Sequence, residues 1–510
     1  MTYLQWFLCY LLVNAVHFIG SWKLYQKAGR KAWEAAIPVY NLVVLTQILD
    51  RPRWWVILFF IPVVNNVMVV IIWIDLLYAF NRRKFIDCIL VIITLSGYLI
   101  YLNYFKDVTY SGRADANRET LVSALVFAIV AVTIIRAYTI EAFTIPTSSM
   151  EKTLMIGDFL FVNKMIYGAR LPITPLTLPL IHRKVPLIHC SAFLNEPALP
   201  YLRFPAFRAI KNGDLVVFNY PGSGKPGDFP GAGDNVDKKP FWVKRCVGIA
   251  GDSLAVRNAA VFINGKPLPW PENARPQSSY IATTTNGVMN PKLLAERFDI
   301  TDPPYRVLGD RHTFALQLNA ENLKAVKRFA NVTAIKEERY EKGFAEPGIF
   351  PADKNWNRDN YGPIYIPQAG DVLTLTRENI AQYRRLIRVY EHHKLEERDG
   401  AFFIDDKPTH TYRVQQNYYF MMGDNRHNSF DSRYWGYVPM EYIVGEPLFI
   451  WFSWNAHARG IAQIRWGRLM TLVDDKAGHR TSYLWVVALL ILAYSGYSIY
   501  RKRKRQTLDK

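Results

Sequence analysis

Three stretches of this sequence hold side chains able to do covalent chemistry. Ser148 and Ser149 stand side by side in IPTSSMEKTLMIGDFLFVNK, residues 145 to 164, and are followed by Met150. Lys244 stands in FWVKRCVGIAGD, residues 241 to 252. Residues 418 to 439, YYFMMGDNRHNSFDSRYWGYVP, crowd Gly, Asp, Asn, Ser and Arg between aromatics. A serine hydroxyl is a weak nucleophile until a neighbouring base takes its proton. A lysine among poorly solvating neighbours can be that base, because burial disfavours the ammonium. Read as a strand, the second stretch puts Trp242, Lys244 and Cys246 on one face and Val243, Arg245 and Val247 on the other. In the third, Asp424, Arg426, Asp431 and Arg433 offer charge pairs, and Ser429 can orient a neighbour. Each stretch alone also has a plain reading: a polar loop, a lysine snorkelling from an ordinary strand, a solvated turn. Asp424 and Asp431 lack the compact carboxylate–histidine set of a metal site, so neither metal nor cofactor is expected.

The elements that must position these groups are strands and turns. Gly-Asp recurs before alternating apolar segments, at Gly157-Asp158, Gly213-Asp214, Gly251-Asp252 and Gly370-Asp371. Glycine supplies the positive φ of such a turn, and the aspartate bonds the local backbone. Period-two alternation after each turn predicts half-buried strands. AAVFINGKPL and GAFFIDDKPT read as two hairpins of one design, with Asn264-Gly265 as a favoured turn. A helical interlude is expected from about Arg377 to Leu395. Residues 172 to 205, Pro-rich and poor in acid, are expected on the core or on a membrane, the membrane being favoured.

Half of the 510 residues are apolar, and they are clustered in runs, which marks a membrane protein rather than a soluble one. Tyr3–Trp22 is about one span long, without the n-region or cleavage site of a removable signal peptide. Residues 35 to 49 suit the membrane interface. Trp54–Phe80 is interrupted by Pro62, Asn65 and Asn66, as one kinked span or two half-helices. Ile86–Phe105 is a further span. Residues 106 to 120 read as a polar loop, and Leu121–Phe143 as the clearest anchor, with Arg136 and Glu141 snorkelling to headgroups. The next run of spanning length is Tyr483–Tyr500, before RKRKRQTLDK. Positive-inside bias places that tail in the cytoplasm and residues 144 to 480 outside, although Arg82, Arg83 and Lys84 would then face outward. The net charge of +19 fits anionic-lipid contact; no zinc-finger, helix-turn-helix or RNA-binding signature points to nucleic acid. Cys9 and Cys88 lie in apolar runs; Cys190 and Cys246 lack metal-ligand spacing and could pair outside the cytoplasm.

Together the three stretches resemble the type I signal peptidase family. IPTSSMEKTL corresponds to its nucleophile box, GDFLFVNK with NGDLVVFNYP to its strand box, FWVKRCVGIAGD to its general-base box and GDNRHNSFDSRYWGYVP to its final box, in the family's order. The resemblance covers roughly 121 to 169, 207 to 268 and 400 to 455. It implies that Ser149 is the nucleophile and Lys244 the general base. It implies that Ser429 bonds the lysine, and that Thr147 joins the Ser149 amide in the oxyanion hole. Asp424, Asn425, Arg426, Asp431 and Arg433 become supporting residues, with Asp431 and Arg433 as an ion pair. Two positions depart from the pattern. Lys152 stands for a usual proline, which loosens the turn, and His427 for a common acid. The segment KAGRKAWEAAIPVYNLVVLTQILDRPRWW, followed by IPVVNN, resembles a small bacterial inner-membrane domain family of uncharacterised function.

The expected fold is therefore α-helical transmembrane anchors plus a large mainly-β extracytoplasmic catalytic domain. Its parts are a multi-span domain (1–105), the polar loop (106–120), an anchor (121–143), the catalytic domain (144–480, with insertions about 165–206 and 269–400), a C-terminal span (481–500) and the tail (501–510). The implied activity is removal of signal peptides after small residues, of the Ala-x-Ala type, at the outer face of a bacterial cytoplasmic membrane. The implied partners are secreted preproteins, the lipid bilayer and the secretion translocon. Ser149 follows the anchor by some six residues, within about 20 Å of extended chain. A hydrolase triad using His427 or His182 is disfavoured, since neither accompanies a G-x-S-x-G elbow. The spans disfavour a soluble self-cleaving repressor-type protease. Retention of Ser149, Lys244 and Ser429 disfavours an inactive scaffold.

Overall fold

The computed structural model describes residues 3–94, 96–112, 121–178, 180–186, 188–222, 233–398, 400–474 and 481–508. The chain divides into two compact units. The first comprises residues 1–139, 170–204 and 233–238, and the second the remainder.

The first unit is helical. Tyr3–Lys27, Tyr40–Ile48, Val64–Ala79, Phe85–Ile93, Gly97–Phe105 and Leu121–Tyr138 are its main helices, and Tyr25, Leu45, Leu77, Val91 and Leu99 sit in its core. The run 54 to 80 is broken, as expected at Pro62: a short helix Trp55–Leu58 precedes Val64–Ala79. Asn66, in the first turn of the second helix, donates to the Pro175 and Thr177 carbonyls at 2.7 and 3.2 Å. The Pro-rich stretch 172–205 thus packs with the helices instead of on the β core. The expected span 86–105 is two helices bent by 114°. Thr94 promotes the break by donating to Leu90 O at 2.6 Å while accepting the Tyr98 amide at 2.9 Å. Among the described residues no single helix is long and apolar enough to cross a membrane, though this bent pair is together. The anchor expected over 121–143 ends as helix at Tyr138, and from Ile140 the chain is a strand. Glu141 does not snorkel: it is buried in an ion pair with Lys164 at 2.6 Å. Most of the expected 106–120 loop, from 113 on, lies outside the described residues, as do residues 509 and 510 of the tail. The final helix, Leu484–Leu508, runs from the expected C-terminal span into that tail.

The second unit is mainly antiparallel β, as the sequence predicts. Its largest sheet comprises β1 (Ile140–Thr144), β2 (Asp158–Asn163), β3 (Leu215–Asn219), β4 (Phe241–Gly248), β5 (Tyr418–Met422), β6 (Val438–Pro439), β7 (Ile443–Ser453) and β8 (Thr471–Leu472). The order is β1-β2-β7-β3-β4-β5-β6, with β8 also on β7. The long β7 pairs with β2 through residues 446–453 and with β3 through Ile443 and Gly445. A Cβ at Gly445 would lie 2.2 Å from the Asn163 carbonyl oxygen, so only glycine lets the backbones meet where β7 changes neighbours.

The four Gly-Asp turns share one construction. Each glycine has a φ between 86 and 101°. Each aspartate accepts the amide three residues earlier: Met155 at 2.8 Å, Lys211 at 2.9 Å, Ile249 at 3.0 Å and Gln368 at 2.7 Å. The two look-alike hairpins also form: Ser253–Arg257, Ala260–Ile263 and Lys266–Pro267 in one, Leu395–Arg398, Ala401–Ile404 and Lys407–Thr409 in the other. Both turn on positive-φ pairs, Asn264-Gly265 and Asp405-Asp406. The helical interlude is Ile380–Arg385, continued to Tyr390. Residues 278–337 form a four-stranded sheet with helices Pro291–Phe298 and Ala320–Val326 around their own core, including Leu294, Phe314 and Leu316. By Tyr361–Tyr365 the chain again pairs with Ser253–Arg257. Cys190 and Cys246, whose pairing the sequence left open, are both free; Cys246 is fully buried in β4 and donates to Gly248 O.

Replacing Gly445 by Ala should lower stability by about 3 kcal/mol or more, whereas Gly467→Ala, with nothing within 4 Å of the new Cβ, should change it by less than about 0.5 kcal/mol. Thermal unfolding of the two variants against the parent measures the difference.

Candidate active site

The nucleophile loop leaves β1 through Pro146, makes one tight helical turn at Ser148–Met150 and enters β2 by the Gly157 turn. Met150 anchors it: the side chain is buried against Ile145, Leu154 and Leu160, and its Sδ accepts the Asp424 amide at 3.4 Å. Ser149, just ahead, is left half-buried. Its carbonyl accepts the Asn425 amide at 3.1 Å, and the Ser148 carbonyl accepts Asn425 Nδ2 at 3.1 Å. Gly423 lies so close that a Cβ there would sit 2.5 Å from Ser149 O and 2.3 Å from Ser429 Oγ. The final polar loop therefore grips Ser149 by its backbone and leaves its hydroxyl free of that loop.

That hydroxyl meets the lysine. Lys244 Nζ lies 2.5 Å from Ser149 Oγ, on a β4 whose register sets Lys244 opposite Val216. Lys244 also donates to Val243 O at 3.2 Å and stands 5.1 Å from the Trp242 ring centroid. Its side chain is 2 % exposed. Burial pulls the ammonium pKa down to about 8, against the weaker opposing pull of Asp431 and Asp424.

The supporting charges are paired differently from the simplest sequence reading. Asp431 and Arg433 form the expected pair, with Nε 2.9 Å from Oδ1 and Nη2 2.8 Å from Oδ2. Asp424 faces Arg245, not Arg426: Nε donates to Oδ1 at 2.7 Å and Nη2 to Oδ2 at 2.6 Å, both side chains being fully buried. Thr153 of the nucleophile loop adds a hydrogen bond to Asp424 Oδ2 at 2.6 Å. Despite their burial both carboxyls are held below the ordinary carboxylate range by their arginines. Arg426 instead stacks over Trp270 at 4.1 Å, with its amide donating to Gln277 O at 3.0 Å. His427 accepts the Ser279 amide at Nδ1 and faces Asp359 through Nε2 at 2.9 Å, away from any serine hydroxyl. Thr147 is exposed at the turn before Ser148. No hydrogen bond joins Ser429 to Lys244, whose Nζ meets Ser149 Oγ and Val243 O. The Ser429 hydroxyl is buried near Asp431 without a well-formed hydrogen bond.

Two groups were not singled out by sequence reasoning. Arg245 had a signal, a charged residue alternating with Lys244 on a strand otherwise apolar, which calls for a buried acid. Thr153 had none. Lys152 does not loosen the loop. It adopts a φ of 68°, which a proline cannot, and its Nζ donates to the Phe298 and Asp299 carbonyls at 3.0 and 2.8 Å. Among the described residues no cluster of His, Cys, Asp or Glu could hold a metal ion.

A family model described as signal peptidase, peptidase S26, matches residues 118–322 and 368–454. The chain belongs to that signal peptidase family. It is a serine endopeptidase. Residues 33–113 match a family of unknown function, DUF5684. The chain is similar to signal peptidase I of Buchnera aphidicola subsp. Schizaphis graminum, 26% identical over 63% of this chain and 71% of the relative. It is similar to signal peptidase I of Pseudomonas fluorescens, 25% identical over 63% and 68%, and to that of Helicobacter pylori strain 26695, 26% identical over 65% and 81%.

Replacing Arg245 by Met in the peptidase strands Asp424 as a buried, unpaired charge and should cost about 3–5 kcal/mol at neutral pH. Because the folded pKa of Asp424 is held low, its contribution is present above its unfolded pKa and lost as pH falls through the folded one. The gap between parent and variant in thermal unfolding should therefore narrow below about pH 4.

Proposed function

We propose that this peptidase removes signal peptides from exported preproteins with Ser149 as nucleophile and Lys244 as general base. The observation that carries this reading is the 2.5 Å contact between a half-exposed serine hydroxyl and a fully buried lysine amine. Neutral Lys244 takes the Ser149 proton as Oγ attacks the scissile carbonyl. The Ser149 amide and the Thr147 hydroxyl stabilise the oxyanion. Lys244 then protonates the leaving amine, and a water activated by the same lysine releases the signal peptide from Ser149. Ser429, its hydroxyl buried near Asp431, accepts from Lys244 when the lysine is an ammonium and holds it in place. Asn425, Asp424, Arg426, Asp431 and Arg433 keep the two reacting groups in register.

The substrate binds extended beside the open edge of β1, where main-chain hydrogen bonds give affinity. Small residues at the first and third positions before the cut give specificity. The apolar helices of residues 1–139 and 484–499 hold the enzyme in a bacterial cytoplasmic membrane, with the β unit outside and the basic tail in the cytoplasm. There the cleavage sites of translocating preproteins emerge beside the secretion translocon.

The test is cleavage of a preprotein with an Ala-x-Ala site by purified, detergent-solubilised enzyme. Ser149→Ala and Lys244→Ala should each lower kcat by about 10³-fold or more. Below about pH 8 Lys244 holds its proton and cannot accept another, so kcat/KM of the parent should rise with pH up to a midpoint near 8. Processing that persists in a strain depending on Ser149→Ala alone would refute the assignment.

A further inference from the structure

Lys152 and the segment it touches carry a role that the dyad chemistry does not absorb. The helix Pro291–Phe298 of the inserted subdomain ends with Asp299 in the left-handed conformation. The last carbonyls of a helix lack partners and carry its negative end. Here the Lys152 ammonium covers two of them, Phe298 O and Asp299 O, from three residues beyond the nucleophile. Asp299 itself is pinned from the opposite direction by Asn455 Nδ2 at 3.2 Å and Arg465 Nη2 at 3.4 Å. The same turn supplies Asp302, whose Oδ2 accepts Asn425 Nδ2 at 3.0 Å. That amide group also donates to the Ser148 carbonyl. The turn at 299–302 is thus fixed to β7's following loop and in turn fixes the nucleophile loop on both sides of Ser149.

The backbone records the strength of this tie. Lys152 has a φ of 68°, a conformation an L side chain adopts at a cost of roughly 1 kcal/mol or more unless its surroundings hold it there. The Leu154 amide closes the turn around it on Met150 O at 2.7 Å, and the two carbonyl contacts fix the far end of its side chain. A subdomain with its own core sits in the chain between the base on β4 and the final loop. One of its helix ends reaches the residue that sets how the nucleophile turn closes.

We infer that the subdomain of residues 278–337 is a positioning element for the peptidase reaction, acting through Lys152 and Asp302 to fix the Ser149 turn against Lys244. This inference rests on the Ser149–Lys244 reading. Lys152 touches no reacting atom, so it is a positioning residue. Misplacement of a reacting group by about 1 Å can cost about 100-fold in rate without weakening substrate binding.

The experiment is steady-state cleavage of the Ala-x-Ala preprotein by the full-length, detergent-solubilised enzyme. Lys152→Met keeps the side-chain length and backbone but removes the donor; Lys152→Arg restores a cationic donor within reach of the same carbonyls. Asp302→Ala cuts the second tie independently. Lys152→Met and Asp302→Ala should each lower kcat by about 10- to 100-fold with KM within about twofold, and Lys152→Arg should recover most of the loss. The pH midpoint near 8 set by Lys244 should stay where it is. Thermal unfolding of each variant confirms that the fold is kept, and if Lys152→Met fails to fold, Asp302→Ala decides. Parent-like kcat in the deciding variants, a change confined to KM, or equal loss in Lys152→Arg and a folded Lys152→Met overturns the inference. Ser149→Ala run alongside separates the two questions: if it stays active, the dyad reading has failed; if it is dead while the tether variants work normally, only the tether has.

Discussion

The catalytic arrangement depends on one buried ion pair, Arg245 with Asp424. Each charge alone would cost several kcal/mol to bury. The bidentate geometry and the additional Thr153 hydrogen bond make that burial tolerable, and they consume both carboxylate oxygens. Three distant pieces of chain meet there. Arg245 is the strand neighbour of Lys244, Thr153 closes the loop that holds Ser149, and Asp424 opens the loop that grips the Ser149 backbone. The Asp424 carbonyl also accepts the Gln277 amide, so the first residues of the inserted segment are fastened to the same spot. The 2.5 Å contact between Ser149 and Lys244 needs this cross-bracing, because neither β4 nor the loop of residues 145–157 alone fixes the distance between them.

The charges around the lysine explain why an amine, and not an ammonium, is expected to work there. Asp424 and Asp431 are buried, but each already has an arginine of its own. Arg426 adds a further buried cation that relies on the face of Trp270. The surroundings are therefore not short of positive charge, and a charged Lys244 would face two acids, Asp424 and Asp431, that are each already paired with an arginine. Desolvation then outweighs the distant attraction of the acids, which is the direction found for its pKa.

Much of the β unit was legible because its signals are local. A Gly-Asp turn needs only a positive φ and an aspartate reaching back three residues, and all four were readable one by one. The hairpins at Asn264-Gly265 and Asp405-Asp406 were readable for the same reason. The order of the motifs was enough to bring Ser149 and Lys244 together on paper. What escaped was decided by tertiary pairing. Composition cannot say that Asp424 chooses Arg245 over Arg426, that Glu141 finds Lys164, or that Cys246 turns into a core while Cys190 remains free. Hydropathy ran 121–143 together as one segment, although the strand pairing of Ile140–Thr144 with β2 ends the helix at Tyr138. It also could not show that Thr94 breaks 86–105. Lys152 was readable as a departure from a pattern, but its partners lie almost 150 residues further on in a helix end.

The chain separations inside the site bear on how the enzyme is made. Ser149 and Lys244 are 95 residues apart, but the carboxylate that braces them follows Arg245 by another 179. At about 5–20 residues per second, a growing chain holds both reacting groups for roughly 10–35 s before Asp424 is synthesised. During that interval Arg245 has no acid, Thr153 has no acceptor and the Ser149 backbone has no Gly423–Asn425 loop to grip it. The brace around Ser149 and Lys244 is therefore completed only once Asp424 and the loop that follows it have been made.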